Sequence, residues 1–378
     1  MHELTYKFNN ELSKIDIQKK EFFEPSRIKY FLKEGDSVYV SDGQYVKKNQ
    51  LLVKKLNGSK CFSTVSGNVV IKGNSVIVTK DGNEVEIDPE ESRINLDGIT
   101  KEDILAVCTK YGINIENKLL LKELQDNKKI LYVNVIDAEP YLFNNKFLLH
   151  DNIKNTLDII TLLAHNFNLI PYLIVSKYDK ENVFQINSLL VNYPNLRVIT
   201  INQGYPLNTD HFILNKHFKE YNKEEILFLD LVTINKLFVG LKERMPVSER
   251  FVTVVFDNPL RCFVVKTYYG VNLEEMIDSF VPASWGGKAV YLNNFFRKNK
   301  CRNFEDLSVT DNVNTIFILD DVIELQTKCI KCGRCADVCP VKINPIDKKL
   351  DSSCIKCGLC NYVCPANINL LVRVKENE

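Results

Sequence analysis

Eight of the chain's twelve cysteines fall in two short runs near its end. Cys329, Cys332, Cys335 and Cys339 precede Pro340, and Cys354, Cys357, Cys360 and Cys364 precede Pro365. Both runs read C-x2-C-x2-C-x3-C-P. Three thiolates at steps of three can converge from one tight loop on a [4Fe–4S] cubane, and the fourth follows on a short helix. Gly333 and Gly358 sit where such a loop needs a positive φ or a close backbone approach. Where two such runs occur together, the fourth cysteine of each ligates the other cluster. The spacing thus predicts one cluster on Cys329, Cys332, Cys335 and Cys364. It predicts a second on Cys339, Cys354, Cys357 and Cys360. Structural zinc prefers two C-x2-C pairs across a longer loop, which neither run provides.

The rest of the chain must position this segment or feed it. At 378 residues, 45% hydrophobic and 26% charged, it has the length of two to four domains and the composition of a globular protein. The net charge of +1 and the lack of a basic patch with interleaved aromatics give no support to nucleic-acid binding. The N-terminal stretch MHELTYKFNNELSKIDIQKK has no apolar h-region, and no uninterrupted apolar run of membrane-spanning length occurs. A cytoplasmic location is expected, with any membrane association peripheral, on the cytoplasmic face, through a partner. Cys61, Cys108, Cys262 and Cys301 lack paired spacing and read as packed thiols.

Four regions separate. Residues 1–92 comprise an N-terminal extension and a β-rich unit. Its short alternating runs SVIVT and EVEI are punctuated by EG, DG, SG and KG turns. DGQYVKKNQLL followed by STVSGNVV resembles a lipoyl- or biotinyl-type hammerhead, without the lysine of a swinging arm. Residues 93–247 alternate helical and strand patterns, which predicts an open α/β domain with a largely parallel sheet. There TKEDILAVCTKYG reads as a helix capped by Thr100 and ended near Gly112. KKILYVNVI reads as a buried strand whose following turn, IDAEPY, puts Asp137 and Glu139 at the carboxyl edge of the sheet. Residues 248–320 read as a small mixed unit of β-grasp type, with strands RFVTVVF, RCFVVKTYYG and NTIFILD and a helix VNLEEMIDSF. Residues 321–378 form the two-cluster segment. The fold class is multidomain: a β-sandwich hammerhead-like domain, an open α/β domain, a β-grasp-like module and a ferredoxin-like end.

In this order the pieces resemble the C subunit of the Rnf electron-transport complex, a membrane-associated ferredoxin:NAD oxidoreductase. VNVIDAEPY resembles that family's N-G-A-E-C-E-P-Y signature; GYP at 204–206, ERFVTV at 249–254, VKKNQLL and TVSGNV also match. The resemblance implies an α/β domain like the flavin subunit of respiratory complex I and a soluble-ligand-binding β-grasp module. It further implies FMN taking hydride from NADH, and single electrons relayed through the clusters to other subunits of a membrane-bound complex. Carried over residue by residue, it points to Gly112, Asn134, Asp137 and Glu139 for flavin or nucleotide.

The chain departs from the pattern at that site. The family's glycine-rich flavin loop corresponds to YGINIENKLLL, where Gly112 alone survives and Glu116 puts an acid in the place of phosphate. Asp137, Ala138 and Asn145 replace the signature's Glu, Cys and Asp, and Leu207–Asn208 replaces Gln-Gly. The FMN and NADH site is therefore expected to be weakened or lost, leaving a relay, with hydride chemistry only if FMN is retained. The alternatives are an intact FMN-dependent NADH-oxidising subunit, a soluble relative donating electrons to an amino-acid reductase, and a non-redox scaffold holding zinc.

Overall fold

The computed structural model describes residues 17–88, 96–115, 118–256, 260–280, 288–297, 300–301, 304–320, 326–346 and 353–373. The first strand, β1 (Ile17–Phe23), joins a sheet formed much later in the chain. Next come β2 (Arg27–Phe31), β3 (Ser37–Val38), β4 (Tyr45–Val46), β5 (Leu51–Lys54), β6 (Lys60–Phe62), β7 (Gly67–Lys72) and β8 (Ser75–Lys80). They form two small antiparallel sheets, β2-β8-β7-β4 and β3-β5-β6. Their alternating side chains bury Ile28, Val46, Leu52, Val69, Val76 and Val78 completely in a core of their own. SVIVT is β8. EVEI is not a strand: Glu86 forms a single bridge to Lys48, whose ammonium also pairs with Glu84 and Glu86 at 3.0 and 2.6 Å.

The helix α1 (Lys101–Tyr111) starts with a capping box between Thr100 and Asp103 and ends at Gly112 in the left-handed region, as its sequence predicts. A short hairpin, β9 (Asn114–Ile115) and β10 (Lys118–Leu119), and the helix α2 (Leu120–Gln125) follow. Then strand and helix alternate: β11 (Ile130–Asn134), α3 (Asn144–Phe167), β12 (Ile170–Ser176), α4 (Lys180–Leu189), β13 (Arg197–Ile201), α5 (Asp210–His217), β14 (Ile226–Asp230) and α6 (Leu231–Phe238). The sheet is wholly parallel, in the order β13-β12-β11-β14. Leu131 and Val133 of β11 face one apolar core and Ile130 and Tyr132 the other. A strand covered on both faces needs such a continuous apolar run.

The third unit is a six-stranded mixed sheet, built from β15 (Glu249–Phe256), β16 (Arg261–Tyr268), β17 (Lys288–Leu292), β18 (Lys300–Cys301) and β19 (Thr315–Asp320). Its helix is α7 (Leu273–Phe280). The order is β1-β16-β15-β19-β17-β18, and β1 runs parallel to β16. Strands from residues 17–80 thus contribute to three sheets, because β16 offers an edge that β1 covers. In the last segment two helices of one turn, α8 (Arg334–Asp337) and α9 (Leu359–Tyr362), follow Gly333 and Gly358. No helix among the described residues is long and apolar enough to cross a membrane. Cys108 and Cys262 are buried and Cys61 and Cys301 half-buried.

Candidate iron–sulfur centre and its contact with the parallel sheet

The two cysteine loops repeat each other in backbone as well as in sequence. Lys331 and Lys356 lie at φ of 55° and 51°, Gly333 and Gly358 at 80° and 82°, and Lys342 and Asn367 at 58° and 53°. Each glycine turns the chain into its short helix, which carries the third cysteine, Cys335 or Cys360, and ends before the fourth, which the spacing places on it.

Two cavities result, both partly open to solvent. The first, of about 350 Å³, is lined by Cys329, Cys332, Cys335 and Cys364 with Ile346, Ile368 and Leu370. The second, of about 360 Å³, is lined by Cys339, Cys354, Cys357 and Cys360 with Val341, Ile343 and Leu359. Each joins three thiols of one run to the fourth of the other. Four cysteine thiols around each cavity, at the spacing of the two runs, are the donor set of a cubane. The Lys331 N–H lies 3.4 Å from the Cys329 sulfur, a bond of the kind that tunes cluster potential.

Burial raises the thiol pKa of Cys335, Cys357 and Cys360, the last to about 12, and the neighbouring sulfurs add to the rise. Cys364 and Cys332 act on Cys335, while Cys339 and Cys354 act on Cys357 and Cys360. Burial thus favours the protonated form of these three thiols, and a bound cation would favour the thiolate.

The two cavities differ in what surrounds them. Cys329 and Cys332 are exposed, and Ile330 beside them is 68% exposed. A Cβ on Gly333 would meet nothing within 4 Å. A Cβ on the equivalent Gly358 would stand 2.7 and 2.8 Å from the backbone carbon and oxygen of Phe296. The second loop thus lies directly on the mixed-sheet unit. Tyr205, Phe296, Val338 and Leu359 form a small apolar cluster at the junction.

Polar contacts extend this junction to the carboxyl edge of the parallel sheet. The Tyr205 hydroxyl donates to the carbonyl of Cys357 and receives a bond from the Asn294 amide at 2.8 Å. Arg297 Nε donates to the Lys356 carbonyl at 3.0 Å, and its guanidinium pairs with Glu139 at 3.4 Å. Tyr205 lies in the loop after β13 and Glu139 in the loop after β11. The second cavity is thus tied to the edge where open α/β sheets place their functional loops. Sequence reasoning assigned no role to Tyr205, Asn294, Phe296 or Arg297. GYP marked Tyr205 as notable, but nothing in the sequence pairs it with Cys357.

The four residues indicated for flavin are all engaged by protein. Asn134 donates to Asp210 at 2.6 Å and accepts from the Ile136 N–H at 2.9 Å. Asp137 accepts the N–H groups of Asn145 and Lys146, both at 2.9 Å, and so caps the start of α3. Its burial pushes the carboxyl up to about 7, against the pull of those two donors. Glu139 holds Arg297. Gly112 lies against the N-terminal β unit, where a Cβ would stand 2.8 Å from both the Gly58 carbonyl oxygen and the Lys60 nitrogen. Glu116 lies outside the described residues.

Fold and site together define a multidomain α/β iron–sulfur protein, and residues 324–343 match the family model of the 4Fe-4S binding domain. The chain is 24% identical over 228 residues, 57% of its length, to the C subunit of the ion-translocating oxidoreductase complex of Buchnera aphidicola subsp. Acyrthosiphon pisum (strain APS). It spans about half of that curated relative, 48% of its length. Two solved structures of an NAD+-reducing [NiFe]-hydrogenase, H2-reduced and air-oxidized, align at TM-scores of 0.46 and 0.44, each with 11% identity. These cover 57% and 58% of this chain and 46% of the other chain in each case.

Proposed function

We propose that the chain is a two-cluster relay of single electrons within a multisubunit oxidoreductase of the Rnf kind. Cys329, Cys332, Cys335 and Cys364 would hold one [4Fe–4S] cluster, and Cys339, Cys354, Cys357 and Cys360 the other. The observation that carries this is the pair of cavities, each lined by three cysteines of one run and the fourth of the other. Bound there, each cluster supplies a site that accepts and returns one electron. Around them the chain supplies apolar cover, backbone turns and a fixed approach. Ile346, Ile368 and Leu370 cover the first site, and Val341, Ile343 and Leu359 the second. The exposed side at Cys329 and Cys332 is where a redox partner would exchange electrons with the chain. The partners would be other subunits of a membrane-bound complex, with this chain peripheral on its cytoplasmic face.

The relay reading includes no flavin of the chain's own. The groups that would meet a flavin are spent on capping α3, bracing the loop after β11 and holding Arg297. The surviving glycine of the loop is packed against other backbone. These contacts support a relay without FMN of its own, and no hydride step from NADH is assigned to this chain. The N-terminal β unit, hammerhead-like in sequence, and the β-grasp-like mixed sheet then serve as scaffold around the relay.

Anaerobic reconstitution followed by EPR of the reduced protein tests the assignment. Two interacting [4Fe–4S] signals are expected. One isolated signal, or stoichiometric zinc with no labile sulfide, would remove it.

A further inference from the structure

Glu139 and Arg297 lie on different units, 158 positions apart in the chain, and meet beside the second cysteine loop. Arg297 grips that loop through the carbonyl of Lys356, between Cys354 and Cys357. The Arg297 side chain as a whole is 37% exposed and that of Glu139 23%. Tyr205 lies within the electrostatic reach of both and bonds the next carbonyl of the loop, that of Cys357. The first loop has no counterpart to this arrangement among the contacts of its described residues: Lys331 and Cys332 are exposed.

We infer that the Glu139–Arg297 pair sets the reduction potential of the second cluster, and that it is the means by which the edge of the parallel sheet acts on that cluster. The inference rests on the two-cluster reading. Its physical basis is direct. Reduction adds one negative charge to a cluster, so a nearby cation favours the reduced form and a nearby anion disfavours it. Arg297 is bonded to the loop itself, and Glu139 reaches the loop through Arg297 and partly cancels its charge. Burial against Phe296 lowers the screening that water gives the exposed first site. The pair therefore acts on the second cluster and leaves the first unchanged. Anything that drew Glu139 away at the sheet edge would leave Arg297 uncompensated and make the second cluster easier to reduce.

The test is EPR-monitored potentiometry on the reconstituted full chain, with iron counted in each sample. Glu139→Gln removes the anion with little change of shape. It should shift the reduction equilibrium of the second cluster toward the reduced form several-fold, up to about tenfold, where tenfold is 59 mV for one electron. Arg297→Gln should shift it the opposite way, and Arg297→Lys, which keeps the charge, should restore most of it. The first cluster's midpoint should stay fixed throughout. Shifts of opposite sign confined to one cluster are not what a purely structural role gives. An unchanged second midpoint in Glu139→Gln with full iron would overturn the inference, as would equal shifts of both clusters. If the unaltered chain held a single cluster, the two-cluster reading itself would fall, and the iron count distinguishes that result.

Discussion

Cys339 and Cys364 each lie in one run and line the cavity of the other. Cys364→Ser should therefore deplete the cluster proposed for Cys329, Cys332 and Cys335, and Cys339→Ser the one proposed for Cys354, Cys357 and Cys360. Iron should fall from about eight to about four per chain in either variant. EPR lineshape and potential would show which cluster survives; loss of the cluster of the mutated run would contradict the crossed grouping. The spacing of these residues is enough to suggest the whole grouping, because the ligands are local and the crossing rule is chemical. Asp137 is the opposite case. Its place after a strand was legible, but its use as a cap for α3 was not, since the signature suggested a ligand. A carboxyl held up at about 7 when folded binds a proton that the unfolded chain, with a pKa near 3.8, has already lost. The native state then binds more protons over that window, so its stability falls as pH rises from about 4 to about 7. The penalty at neutral pH is on the order of a few kcal/mol. Asp137→Asn should flatten this slope between about pH 4 and 7 and keep most of the capping, because Asn caps about as well as Asp. Thermal unfolding of the anaerobic protein across that range checks it; equal slopes in both proteins would count against it.

At the scale of elements, the two cysteine loops are near copies, and their surroundings separate them. Gly333→Ala places a side chain in the left-handed region with open space around it, at a cost of about 1–2 kcal/mol. Gly358→Ala bears the same backbone cost, and its Cβ also meets the backbone of Phe296 at 2.7 Å, which only a shift of the loop relieves. The Gly358 variant should be the less stable by at least about 1 kcal/mol. It should also lose iron from the second site first, and unfolding with iron release measures both effects. The alternation of β11, α3, β12, α4 and β13 was legible because amphipathic helices and short buried strands leave different periodicities. So was α1, whose capping box and terminal glycine are local signals. The junction of Tyr205, Asn294, Phe296 and Arg297 with the second loop was not. These residues come from separate units, and only the packing of the units brings them together. The edge pairing of β1 with β16 was hidden for the same reason: a short strand at one end of a chain does not announce its partner.

At the scale of the molecule, the units are held by polar contacts that cross between them. Lys236 of α6 pairs with Asp311 at 2.8 Å, and the Tyr269 hydroxyl donates to the same carboxylate, also at 2.8 Å. Lys236 and Arg250 hold Asp311 down at about 2 against the desolvation of its site, so its contribution is present at neutral pH and is lost only in acid. Its side chain is 57% exposed, which limits the cost of removal. Asp311→Ala should lower stability by about 1–2 kcal/mol and hasten proteolysis between the units without changing iron content. Proteolysis at an unchanged rate would show that this contact does not hold the units together.

The central claim, a two-cluster relay with no flavin of its own, is most directly tested by counting iron and flavin in protein purified without oxygen. The account predicts about eight iron per chain and no FMN, with clusters that dithionite reduces and NADH alone does not. About one FMN per chain together with NADH-dependent cluster reduction would contradict it, and would mean that the engaged residues at the sheet edge open to admit a flavin.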